Sequence, residues 1–121
     1  MRVGIFGSQD WNDYPGLMRC MTIFLQEAKE LGHDKITFVH RGRKDVENMV
    51  TEYVGKVEKM LRHNNFKLKE ELFRLDGPIN PDVQVMESGL DYAIVFSTKD
   101  NQSNKYKNLL EAYSIPFALY E

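Results

Sequence analysis

Apolar residues fall along this chain in two rhythms, short unbroken runs and longer stretches at helical spacing. Val3 to Phe6 is an unbroken apolar run, the pattern of a strand covered on both faces. After a polar stretch, Asp13 suits a helix N-cap and Pro15 the first turn. Leu17, Met21, Phe24, Leu25, Ala28 and Leu31 then recur on one helical face, and Gly32 fits a left-handed C-cap. Lys35 to Val39 is rich in β-branched and aromatic residues and predicts a second strand.

The clearest periodicity follows. Val46, Met49, Val50, Tyr53, Val54, Val57, Met60 and Leu61 form one apolar stripe, ended by Asn64-Asn65. Lys56, Lys59 and Arg62 fall on its solvated side. Phe66 to Leu72 predicts a third strand whose charges, Lys67, Lys69, Glu70 and Glu71, mark a sheet edge. Asp76-Gly77-Pro78 is a loop signal, and Asn80-Pro81 reads as the N-cap and first residue of a short helix reaching about Glu87. Tyr92 to Phe96 is a buried strand. Ser97 to Asn104 reads as a polar loop, Tyr106 to Tyr113 as a helix, and Pro116 to Tyr120 as a last short strand. Strands that alternate with helices imply parallel pairing and right-handed crossovers. The expectation is one domain over residues 1–121, a three-layer α/β sandwich with a mainly parallel five-stranded sheet in the order 3-2-1-4-5.

Composition narrows the function classes. The 121 residues carry 16 Lys and Arg against 18 Asp and Glu, a net charge of -2, which argues against bulk electrostatic capture of nucleic acid. Cys20 is the only cysteine, so no intrachain disulfide forms and a reducing, cytoplasmic setting is expected. Neither a signal-peptide pattern nor an apolar run long enough for a bilayer occurs, so no membrane association is expected. His33, His40 and His63 show no metal-ligand spacing with Cys20, and no metal or cofactor is predicted. Cys20, mid-helix beside the apolar stripe, reads as a small buried residue rather than a nucleophile.

In a sheet of this order the loops after the first, second and fourth strands converge on the carboxyl rim, where ligands of open α/β sheets bind. Gly7 allows close backbone approach there, Ser8 offers a hydroxyl, and the loop amides with the next helix N-terminus favour an anion. Gly7 alone also fits a simple tight turn. His40-Arg41-Gly42-Arg43-Lys44 sets cations at a helix N-terminus, against the macrodipole, which an anionic ligand or Asp45 and Glu47 would offset. A solvated basic loop is the alternative. His40 is either an acid/base group or a packing residue. Trp11 and Tyr14 could stack on a base or cover the end of the core, the latter being expected for one of them. Ser97, Thr98, Asn101, Gln102, Ser103 and Asn104 could hold a phosphate or ribose, or only cap a helix. The candidate ligand-binding set is Gly7, Ser8, Gln9, Asp10, Trp11, His40, Gly42, Arg43, Ser97 and Thr98.

The opening, Gly7-Ser8-Gln9-Asp10-Trp11-Asn12-Asp13-Tyr14, resembles the YspA-like branch of the SLOG superfamily, Rossmann-like proteins related to the lonely-guy and DNA-processing protein A families. That branch has Gly-Ser-Arg-Asp-Trp-x-Asp-Tyr, so Gln9 stands in place of the arginine. The family's turn after the second strand, His-Gly-Gly-Ala-x-Gly-Ala-Asp, is matched by His40 and Gly42, with Arg41 and Arg43 replacing small residues and Glu47 where the aspartate falls. Gly77-Pro78-Ile79 and Met86-Glu87-x-Gly89-x-Asp91 resemble the segment before the fourth strand, with Asp82 and Val83 near the family's Arg-Asn pair. The Pro-Gly-Gly-x-Gly-Thr phosphate loop has no counterpart in Phe96 to Asn104.

The resemblance implies binding of a nucleotide or nucleotide-derived ligand, by a sensor or sequestering module. N-glycosidic hydrolysis, with Asp10, His40 and Glu47 as acid/base candidates, is the enzymatic alternative, and loss of the glycine loop argues against it. The third alternative is an interaction protein that has kept the fold and lost the ligand, as would suit an accessory protein of a virus or mobile element. Related enzymes pair through helices, so a homodimer is left open.

Overall fold

The computed structural model describes residues 1–7, 11–41, 46–74, 77–78, 80–97 and 101–120, without the side chains of 101–103. The elements are β1 (Arg2–Gly7), α1 (Tyr14–Glu30), β2 (Lys35–His40), α2 (Val46–His63), β3 (Lys67–Leu72), α3 (Pro81–Glu87), β4 (Tyr92–Phe96), α4 (Asn101–Ala112) and β5 (Phe117–Tyr120). All four strand pairings are parallel and the order is β3-β2-β1-β4-β5. This is a three-layer Rossmann-like sandwich, as the alternation of the two rhythms predicts.

The strands alternate their side chains between two cores. Val3, Ile5, Ile36, Phe38, Ile94 and Phe96 face α1 and α2, joined there by Leu17, Met21, Val46, Val50 and Tyr53. Phe6, Val39, Ala93 and Val95 face the other way, toward Val85 and Met86 of α3 and Tyr106 and Leu110 of α4. β1 lies mid-sheet and contributes to both cores, which is why its sequence is unbroken rather than alternating.

Three helices end in the same device. His33 N–H donates to Ala28 O and Gly32 N–H to Lys29 O, with Gly32 at φ 92°. Phe66 and Asn65 close α2 on Leu61 and Arg62, and Ile115 and Ser114 close α4 on Leu110 and Glu111, with Asn65 and Ser114 at φ 60° and 55°. Each is a Schellman turn, which satisfies the last carbonyls, and after α2 and α4 it returns a buried apolar residue, Phe66 or Ile115, to the core. At the other end, the Asp13 carboxylate accepts from Gly16 N–H, and Asn80 Oδ1 from Asp82 and Val83 N–H.

Several expectations need correction. α4 begins at Asn101, five residues before Tyr106, inside the stretch read as loop. Its apolar anchors, Tyr106 and Leu110, are one turn apart and lie beyond its first turn, so its polar first turn shows no periodicity. Leu31 is 79% exposed, because the Gly32 turn carries it off the helical face, and Met60 is 59% exposed on the outer flank of its stripe. Cys20 is half-buried rather than buried, and burial pushes its thiol above the ordinary value. No helix among the described residues is long and apolar enough to cross a membrane.

Candidate functional site

Three of the predicted residues mark strand ends at the carboxyl rim. Gly7 closes β1 and is paired in register with Phe96, so Ser97 follows immediately beside it. Gly4 pairs with Val39, and one further step sets His40 level with Ile5, two residues short of Gly7. His40 thus lies roughly 7 Å below the rim, at about 3.3 Å per residue. Its 2% exposure follows from that depth.

Gly7 is a glycine for packing and not for a turn. A Cβ there would meet Val46 Cγ2 at 2.2 Å, Val46 Cβ at 2.7 Å and Phe96 O at 3.0 Å. The missing side chain lets the first residue of α2 rest against the end of β1. Tyr106, reaching over from α4, donates its hydroxyl to Gly7 O at 3.2 Å. The end of the central strand is therefore clamped from both faces of the sheet.

Trp11 covers the end of the core. It is 8% exposed and its ring lies 5.4 Å from that of Phe96, which stacks in turn on Tyr120 at 5.6 Å. The indole Nε1–H is buried and has no hydrogen-bond partner among the described residues. Tyr14, the other aromatic of this segment, sits at the start of α1 with Lys56 Nζ 5.0 Å above its ring. Lys56 also pairs with Glu52 at 3.4 Å, and Arg62 with Glu58 at 3.8 Å, on the exposed side of α2 predicted for them.

His40 has found a carboxylate. Its Nε2 is 3.3 Å from Glu70 Oε1, and the same oxygen accepts from Thr51 Oγ1 at 2.9 Å. Burial pushes the His40 imidazole below the ordinary histidine value, and the Glu70 charge opposes that shift without cancelling it. The neutral ring fits a packing role better than an acid/base role. Glu70 was hidden in the edge strand, yet it alternates in phase with Phe66 and Leu68, both buried. A charged residue in an apolar phase was the available signal.

The basic second loop is partly neutralised within the fold. Arg41, 14% exposed, stands 3.6 Å from Asp82 in the first turn of α3, itself 7% exposed. In the sequence Asp82 stood out only as lying near the position of the SLOG family's Arg-Asn pair. Glu47 is buried in the first turn of α2 at 3% exposure and offsets part of that helix's dipole. Ser97 is fully buried, its N–H donating to Tyr120 O at 2.9 Å.

Of the candidate set, Gly7, Trp11 and Ser97 meet at the rim and His40 lies beneath it. Ser8, Gln9, Asp10, Gly42, Arg43 and Thr98 lie outside the described residues. Among the described residues no group of three or more His, Cys, Asp or Glu side chains could hold a metal ion. Comparison of the chain with family models, with curated proteins and with solved structures finds no match.

Proposed function

We propose that the chain binds a nucleotide or nucleotide-derived ligand at the carboxyl rim of the sheet, as a sensor or sequestering module. The observation that carries this reading is the Trp11 indole. It is nine-tenths buried against Phe96 at the end of β4, with its Nε1–H unanswered among the described residues. A buried donor left without an acceptor costs about 1–3 kcal/mol. A ligand oxygen or ring nitrogen at the rim would relieve that cost, and Arg43 and Lys44 supply charge for a phosphate on the adjoining loop. The first-loop residues shared with SLOG proteins support the same ligand class.

Binding is favoured over N-glycosidic hydrolysis by the state of two acid/base candidates. His40 is neutral, buried and turned to Glu70, and Glu47 is buried in the first turn of α2. A general base must reach its proton directly or through one water. The test is titration calorimetry with nucleoside monophosphates, ADP-ribose and NAD, on the wild type and on Ser8→Ala and Arg43→Ala. Binding by the wild type that weakens about tenfold or more in Arg43→Ala is expected. Absence of binding across the panel, or equal binding by both variants, would count against the proposal. Release of free base from labelled nucleotide would favour the hydrolase instead.

A further inference from the structure

Away from the rim, α1 and α2 lie side by side and leave a furrow between them. Two hollows of about 220 and about 400 Å³ share Thr22, Tyr53 and Val57 in their linings, so they adjoin along the furrow. Its floor is closed by the hydrogen bond between Thr22 Oγ1 and Tyr53 Oη at 2.8 Å. Leu25, Val57 and Leu61 line its walls, with Ile23 of α1 and Met60 of α2, 53% and 59% exposed, each at the edge of one hollow. Ile23 borders the larger hollow and Met60 the smaller, so each exposed apolar side chain adjoins an apolar depression rather than standing singly on a polar surface.

The charged residues that line the furrow have one sign. Arg19 and Lys56 border one end and Lys29 the other, and no carboxylate lines either hollow. Lys56 is paired with Glu52, whereas Arg19 and Lys29 form no ion pair among the described residues. From Met18 to Lys29 the furrow follows about 17 Å of helix, roughly three turns. A third helix laid between two others meets them at about 8–10 Å between axes and inserts residues at i, i+3, i+4 and i+7.

We infer that the α1–α2 furrow is a docking groove for an amphipathic helix of another protein, with an apolar stripe flanked by acidic residues. The apolar floor recognises the stripe, and Arg19 and Lys29 recognise the flanking carboxylates. A second copy of this chain fits less well. An isologous pair would bring Arg19 and Lys29 of each copy, neither of them in an ion pair among the described residues, to one seam. A lipid surface fits less well too, since the apolar residues line a trough and do not crown a ridge.

The probe is a synthetic amphipathic peptide of about 15 residues, leucine-striped and flanked by glutamates, with a lysine-flanked twin of the same stripe. Amide shifts in the isotope-labelled full chain and fluorescence anisotropy read the outcome. The glutamate peptide should shift α1 and α2 amides and bind about tenfold or more tightly than its twin. Ile23→Glu and Met60→Glu, both at exposed sites that leave the fold intact by circular dichroism, should each weaken it by about tenfold. The double variant Arg19→Glu, Lys29→Glu should reverse the preference between the peptides. Equal affinity for the two peptides, or no binding of either, overturns the inference. So does self-association abolished by Met60→Glu, which would assign the face to a second copy, or binding to anionic vesicles without binding of the peptide.

Discussion

His40 Nε2 stands 3.3 Å from Glu70 Oε1, and that contact converts a residue suited to catalysis into a buried support for the sheet. Its consequence is a pH dependence of stability. The folded imidazole titrates below the ordinary value of 6.5 and the unfolded one near it, so the unfolded chain takes up the proton first as pH falls. The contribution is fully present above pH 6.5 and is lost as pH drops from there toward the folded value. The slope approaches about 1.4 kcal/mol per pH unit at most. Urea denaturation at a series of pH values should show the wild type losing stability below that point more steeply than His40→Phe. Parallel curves would remove this account of His40.

Gly7 is predicted to tolerate no side chain. Gly7→Ala should cost about 1–3 kcal/mol by overpacking against Val46. Val46→Ala in the same chain removes the 2.2 Å contact but leaves Val46 Cβ at 2.7 Å, so rescue should be partial. A double-mutant cycle on thermal or urea unfolding measures this coupling. Strict additivity of the two changes would mean that the close approach is not what fixes glycine here.

The Arg41–Asp82 pair joins the end of β2 to α3 with both side chains largely buried. Removing one partner leaves the other charge uncompensated, and Arg41→Met should cost about 1–3 kcal/mol. The double change Arg41→Met, Asp82→Asn should cost less than the two single changes together. If Arg41→Met is neutral, Arg41 is free to serve a ligand and the cation count at the rim rises by one.

Much of the fold was legible in the sequence, because the signals that set it are local and repeated. The order of strands, the Asn80-Pro81 start of α3, the Gly32 and Asn64-Asn65 stops and the charged edge at β3 all follow from neighbouring residues. The site was less legible, because its chemistry depends on pairings across strands. Glu70 lies thirty positions from His40, and the register of β2 with β3 decides that they meet. Tyr106 reaches Gly7 across 99 positions. Asp82 was visible only as a residue near the position of a family motif, and its pairing depends on where Arg41 is carried by β2. The start of α4 was missed because its first turn, Asn101-Gln102-Ser103-Asn104, holds no apolar residue for periodicity to detect.

Tyr53 binds α2 to α1 through Thr22, with burial pushing its phenol above the ordinary value. Tyr53→Phe should cost about 0.5–1.5 kcal/mol in urea unfolding while leaving the rim unaffected. A loss of ligand binding at the rim in this variant would show that the two helices are coupled to the site more tightly than their packing requires.

The central claim is that a nucleotide-like ligand occupies the rim and accepts a hydrogen bond from Trp11, the only tryptophan of the chain. The direct measurement is therefore the indole Nε1–H resonance of Trp11 during titration with the same nucleotides. The account predicts a saturable shift of that resonance, accompanied by the Gly7 and Val46 amides and needing about tenfold or more ligand in Arg43→Ala. An indole resonance that stays in place while a nucleotide binds, or shifts confined to the α1–α2 furrow, would contradict it.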